Sequence, residues 1–155
     1  MLAIVAAIML FLLSTASGVS QREYMNLYTS NLLLSMMRSD TGEQTPCKTF
    51  SDTLACAFVS PGLKCGGSGP TCNQLAEGKI AAYMPEFEQL KGYRYLLAVE
   101  PEDFVTLTDE GLYSIEYGDK SLRDLRGERF VATGKIQRPS STGQQTLSIT
   151  LIVAK

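Results

Sequence analysis

Cys47, Cys56, Cys65 and Cys72 are the most reactive side chains of this 155-residue chain, and all four fall within 26 residues, separated by eight, eight and six others. Sulfur at that density either pairs into disulfides in an oxidising compartment or binds a soft metal as thiolate. Four-thiolate metal sites are usually assembled from cysteines about two to four residues apart, and no such pair occurs here. Two disulfides are therefore expected and no metal, with all three pairings open. The stretch Lys64-Cys65-Gly66-Gly67-Ser68-Gly69-Pro70-Thr71-Cys72 reads as a loop that a Cys65 to Cys72 bridge would restrain. Its glycines do not form a phosphate cradle, because no strand precedes them and the Gly-Lys-Ser/Thr ending is missing.

Other chemistry is thinner. Histidine and tryptophan are absent. Without histidine there is no Ser-His-Asp triad, no Cys-His pair and no histidine zinc site. Acidic residues gather at Glu100, Glu102, Asp103, Asp109, Glu110, Glu116 and Asp119, where paired carboxylates can do acid-base work or bind Ca²⁺. Asp109-Glu110-Gly111 lacks the alternating ligands of an EF-hand, so solvated loops are expected. Tyr93, Tyr95, Tyr113 and Tyr117 can line a ligand groove, but strand tyrosines more often pack half-buried. Lys120 and Ser121, read as strand neighbours, point to opposite faces and form no dyad. No Asn-x-Ser/Thr acceptor occurs. No catalytic residue, cofactor or enzymatic activity is expected. With a formal net charge of −2 and scattered basic residues, no nucleic-acid partner is expected either.

The elements that must position these residues begin ahead of Arg22, the first charged one. Met1 to Leu13 is apolar, and Ser14 to Gln21 is small or uncharged polar apart from Val19. Such an opening, before a polar remainder with four cysteines, argues for a chain that enters or crosses a membrane and works on its far side. Three readings are open. One is a secretory signal with Thr15-Ala16-Ser17-Gly18 at its cleavage site. Another is a simple transmembrane anchor over Met1 to Val19. The third is one helix from about residue 2 to Arg38, stopped by Asp40-Thr41-Gly42 with Gly42 as a left-handed cap. In this reading Ile4, Val5, Ile8, Met9, Phe11 and Leu12 insert or assemble. Met25, Tyr28, Leu32 and Met36, flanked by Leu27, Leu34 and Met37, make an apolar face that leans on the head.

Beyond residue 42, Thr49 or Ser51 caps a short helix over Asp52 to Phe58, with Leu54, Ala55 and Phe58 inward. Thr71 or Asn73 caps another over about 74–90, which Pro85 kinks or divides. From residue 93 the period becomes two. Tyr93, Tyr95, Leu97 and Val99 share one side of a strand, as do Tyr113, Ile115 and Tyr117, then Phe130, Ala132, Gly134 and Ile136, and finally Leu147, Ile149, Leu151 and Val153. Arg138 to Gly143 reads as the hairpin loop between the last two strands. The other side of the fourth strand, Thr146, Ser148, Thr150 and Ile152, faces water or a neighbouring subunit.

The fold class is α+β: a long N-terminal hydrophobic-to-amphipathic helix, then a small head with two short helices and a four-stranded, mostly antiparallel sheet. Residues 1–40 form a membrane or assembly helix and 41–155 an extracytoplasmic head, with a cysteine-rich region at 47–72, a helix at 74–90 and the sheet at 93–155.

An uncharged helix running into an amphipathic one ahead of a small sheet resembles the build of type IV pilins. The run Asn31-Leu32-Leu33-Leu34-Ser35-Met36-Met37-Arg38-Ser39-Asp40-Thr41-Gly42, with Cys47-Lys48-Thr49-Phe50-Ser51-Asp52 and Ala55-Cys56-Ala57-Phe58, is similar to archaeal pilin-like membrane proteins over roughly residues 1 to 100. Unlike bacterial pilins, the apolar run has no glutamate near its start. The resemblance implies a structural protein outside the cytoplasm, whose partners are the lipid bilayer, identical subunits, or both, reached through its first helix; a homo-oligomer is expected. The alternative is a secreted or tethered monomeric module that binds a small ligand, carbohydrate or partner protein.

Overall fold

The computed structural model describes residues 21–85, 92–102, 114–140 and 143–155. Helix α1 covers 21–38, a run without proline or glycine. One face is buried at Met25, Thr29, Leu33 and Met36, at spacings of four, four and three, as a 3.6-residue period requires. Thr29 is polar yet fully buried, and its hydroxyl donates to the carbonyl of Met25 (2.8 Å), which removes the cost of an unpaired group. Tyr28, Leu32 and Met37 lie beside that face, only partly buried. The apolar side expected from Tyr28 and Leu32 is thus turned by about one residue toward Thr29 and Leu33.

α1 ends where the Ser39 backbone N–H (3.1 Å) and hydroxyl (2.7 Å) both donate to Met36 O. Gly42 has a positive φ of 81°, but it sits four residues past the helix. Its N–H donates to Asp40 Oδ1 (2.8 Å), so it serves an Asx turn and not the helix cap expected of it. Asp40 bridges to Thr49, and the Thr45-Pro46 peptide is cis.

α2 runs from Phe50 to Val59 and α3 from Cys72 to Tyr83. Both open with a capping box, Thr49 with Asp52 and Thr71 with Gln74. In each, the threonine oxygen accepts the third helical N–H while that residue's side chain accepts the threonine N–H. α2 buries Phe50, Thr53, Leu54 and Ala57, and α3 buries Cys72, Ala76 and Ile80. α3 stops at Tyr83, two residues ahead of Pro85, whose ring cannot be accommodated in a continuing helix. The expected helix over 74–90 therefore begins earlier, at Cys72, and is interrupted ahead of Pro85, in line with the division expected there; 86–90 lie outside the described residues.

The sheet contains β1 (Arg94–Pro101), β2 (Ile115–Gly118), β3 (Arg129–Ser140) and β4 (Gly143–Ala154), in the order β2-β1-β4-β3 and antiparallel throughout. β3 and β4 pair from Arg129↔Ala154 to Ser140↔Gly143, so the strands run further into the expected hairpin loop, and only Ser141 and Thr142 separate them. Pro139 is tolerated there because β3 is an edge strand, where a missing N–H breaks no second ladder.

Period two sorts the sheet as the sequence indicates. Leu97, Val99, Phe130, Ala132, Leu147, Ile149, Leu151 and Val153 share one core with Met25, Leu33, Met36, Phe50, Leu54, Ala57, Ala76 and Ile80 from the helices. The opposite face buries Leu96, Ile152 and Ala154 beneath Leu122, on a short 3-10 helix at Lys120–Arg123. Ile152 therefore faces neither water nor a subunit. α1 lies close to the sheet at Gly134, where a Cβ would stand 2.7 Å from Met37 Sδ.

Candidate functional site

The cysteines form two disulfides, Cys47–Cys65 and Cys56–Cys72, with Cα separations of 5.6 and 5.7 Å. The Cys65 to Cys72 bridge that would have closed the glycine loop is not made. That loop is held by backbone bonds instead: Cys65 N–H donates to Pro70 O (2.9 Å) and Gly69 N–H to Cys65 O (3.1 Å). Each disulfide joins α2, or the turn before it, to the loop or the first residue of α3. Together they fasten the α2–α3 pair, on which Phe50 and Tyr83 meet edge-on at 6.5 Å.

On α1 the expected assembly residues divide. Met25 and Met36 are buried in the core, and Tyr28 and Leu32 pack at its edge. Ile4, Val5, Ile8, Met9, Phe11 and Leu12 lie outside the described residues. Away from the core, α1 turns a second apolar line to solvent: Tyr24 is 57%, Leu27 65% and Leu34 47% exposed, at spacings of three and seven, with the Tyr24 ring stacked on Tyr28 at 6.1 Å. The sequence signal for this line was the flanking Leu27 and Leu34, which one amphipathic face cannot accommodate together with Leu33 and Met36. No helix among the described residues is long and apolar enough to cross a membrane.

The acidic group is absorbed by ion pairs where it is described. Arg123 contacts both Glu100 and Glu116, the latter at 2.7 Å, and the bond to Glu100 leads in raising the guanidinium pKa above its ordinary value. Lys135 meets Glu102. Asp119 accepts from Ser121 N–H (3.0 Å), Ser121 Oγ (2.7 Å) and Arg94 Nη1 (2.8 Å). Its pKa is held below the usual carboxylate value, chiefly by Ser121 and then by Arg94. Asp103, Asp109 and Glu110 lie outside the described residues. Lys120 and Ser121 sit on the 3-10 helix, not on a strand as expected; Ser121 is engaged by Asp119 while Lys120 reaches Glu116 at 3.9 Å.

The tyrosines pack. Tyr93 meets Phe130 edge-on at 6.4 Å, and Tyr117 donates its hydroxyl to Asn73 Oδ1 (3.0 Å), tying β2 to α3; Tyr113 lies outside the described residues. Spacing in the sequence did not announce a groove of about 460 Å³ between α2, the 45–48 turn and β3, lined by Pro46, Ala55, Val59, Leu63 and Ile136 with Lys48 and Asp52 at its polar positions. No family model, curated protein or solved structure matches this chain.

Proposed function

We propose that this is a non-enzymatic structural protein of pilin-like build, anchored or assembled through its N-terminal helix, with the disulfide-braced head outside the cytoplasm. The reading takes the uncharged segment 1–20 as the continuation of α1, a hydrophobic half leading into an amphipathic one. The observation that supports it best is the second apolar line of α1, Tyr24, Leu27 and Leu34, which stands in solvent opposite the core-facing side. A helix needs one apolar stripe to seat it on its own sheet; a second is surplus for a monomer and suits a neighbour. The occupant is a second copy of the chain, because α1 leads directly back into the uncharged residues, so adjacent copies can align segment 1–20 and this line together. Two disulfides suit an oxidising location.

Fractionation and electron microscopy of native preparations test the proposal. Val5→Glu places a charge where apolar surroundings make it cost about 2.5 to 3.5 kcal/mol, and it is expected to abolish membrane retention or assembly. Unchanged fractionation, or a mature chain that is soluble, monomeric and shorter by about 17 residues in the manner of a cleaved secretory signal, overturns the reading. The second outcome instead favours a secreted binding module, for which the apolar groove beside α2 is the natural site.

A further inference from the structure

The two disulfides lie against each other. Cys72 Sγ is 3.5 Å from Cys47 Sγ and 3.7 Å from Cys65 Sγ, although neither pair is bonded. The sulfurs of Cys47, Cys56 and Cys72 all fall within 4.8 Å of one another, and Cys47, Cys65 and Cys72 are fully buried. A tetrahedral zinc site with Zn–S bonds of about 2.3 Å holds its sulfurs about 3.8 Å apart. Two edges of such a tetrahedron are thus close to length already, and the bonded pairs need only part. We propose that when both disulfides are reduced, the four cysteines close around one zinc ion or a similarly soft divalent metal.

The sequence argues against this site through spacing, since it has no paired-cysteine knuckle, and through an apolar opening that points to an oxidising compartment, where the site would stay closed until reduced. The fold supplies the proximity that spacing does not. One ligand precedes α2, one lies on α2, one on the glycine loop and one at the first position of α3, so the metal would tie together the segments that the disulfides tie. Cys72 opens a helix of 12 residues, where the N-terminal N–H groups favour a thiolate. The chemistry balances with a dithiol as reductant. Each disulfide takes two electrons and two protons from a dithiol that closes to its own cyclic disulfide, and four thiols binding one divalent ion release four protons.

The test uses the full chain, reduced without oxygen, freed of reductant and titrated with Co²⁺ as the optical probe. One Co²⁺ per chain is expected, with the absorption of tetrahedral thiolate coordination, displacement by Zn²⁺ and release of about four protons per metal. The oxidised chain should take up none at the same concentration. Cys56→Ser and Cys65→Ser, each reduced, should weaken binding at least about tenfold. The inference is overturned if the reduced wild type takes up no stoichiometric metal or releases two protons or fewer, and equally if Cys65→Ser binds as tightly as wild type. None of these readouts involves assembly, so the outcome is independent of the proposed structural role.

Discussion

The two sides of α1 are similar in apolar content and opposite in situation. Met25, Leu33 and Met36 are sealed against the sheet, whereas Leu27, two positions from the buried Met25 and Thr29, is 65% exposed. What separates them is the surface they meet. Gly134 removes a side chain from β3 so that Met37 and Leu33 can approach the strand, while Leu27 and Leu34 stay largely in solvent. An amphipathic pattern read along a helix reports how much apolar surface exists; only the partner decides which part of it folds the domain and which is left for something else.

The largest expected effect comes from the sealed side. Leu33→Ala should cost about 2 to 5 kcal/mol, since its site between α1 and the sheet is closely packed and can collapse only in part. Denaturant unfolding measures it, and a loss below 1 kcal/mol would mean that α1 is not seated as described. Gly134→Ala approaches the same contact from the strand. Met37 must give way before the new methyl, at about 1 to 3 kcal/mol if it stays in place; because its thioether is flexible, Met37→Ala in the same chain should recover part of the loss.

The exposed side should behave in the opposite way. Leu27→Ser with Leu34→Ser is expected to leave stability within about 0.5 kcal/mol, as surface substitutions do, while reducing self-association, read by sedimentation or by particle counts in the microscope. Unfolding of the double variant on a par with Leu33→Ala would place the line inside the fold and remove the main support for assembly.

The comparison also marks how far the sequence could be read. Strand faces were legible because Leu147, Ile149, Leu151 and Val153 cannot be shared between two sides of a sheet, whereas residue type and position narrowed each helix cap only to two candidates, Thr49 or Ser51 and Thr71 or Asn73, of which the fold uses the threonine. The α1 register was misread by one residue because counting apolar side chains passes over Thr29, whose hydroxyl is paired within its own helix. Disulfide pairing was beyond reach, since three pairings fit one spacing and tertiary placement alone brings Cys47 to Cys65. The Arg123 cluster gave no signal, because Glu100 and Glu116 come from different strands and meet the arginine only after β1 and β2 pair. Of the candidate sites, the cysteine cluster was visible as composition and invisible as geometry, and the second line of α1 was present only as leucines left over from the first.

The smallest effect belongs to the sheet face turned away from α1, where ion pairs take a larger share than on the helix side. Asp119 caps the 3-10 helix that covers Leu96 and Ile152, and its folded-state pKa lies below its ordinary value of 3.8, owing first to Ser121 and then to Arg94. A carboxylate with a depressed pKa stabilises the fold above its unfolded pKa and loses that contribution as pH falls through the folded one. Wild type should therefore exceed Asp119→Asn in melting temperature at pH 6, and the gap should narrow from about pH 4 downward. Leu33→Ala should show no such convergence, because its loss lies in packing and carries no proton. Parallel curves for wild type and Asp119→Asn over that range would mean that the cap works through geometry alone, leaving both faces of the sheet governed by burial.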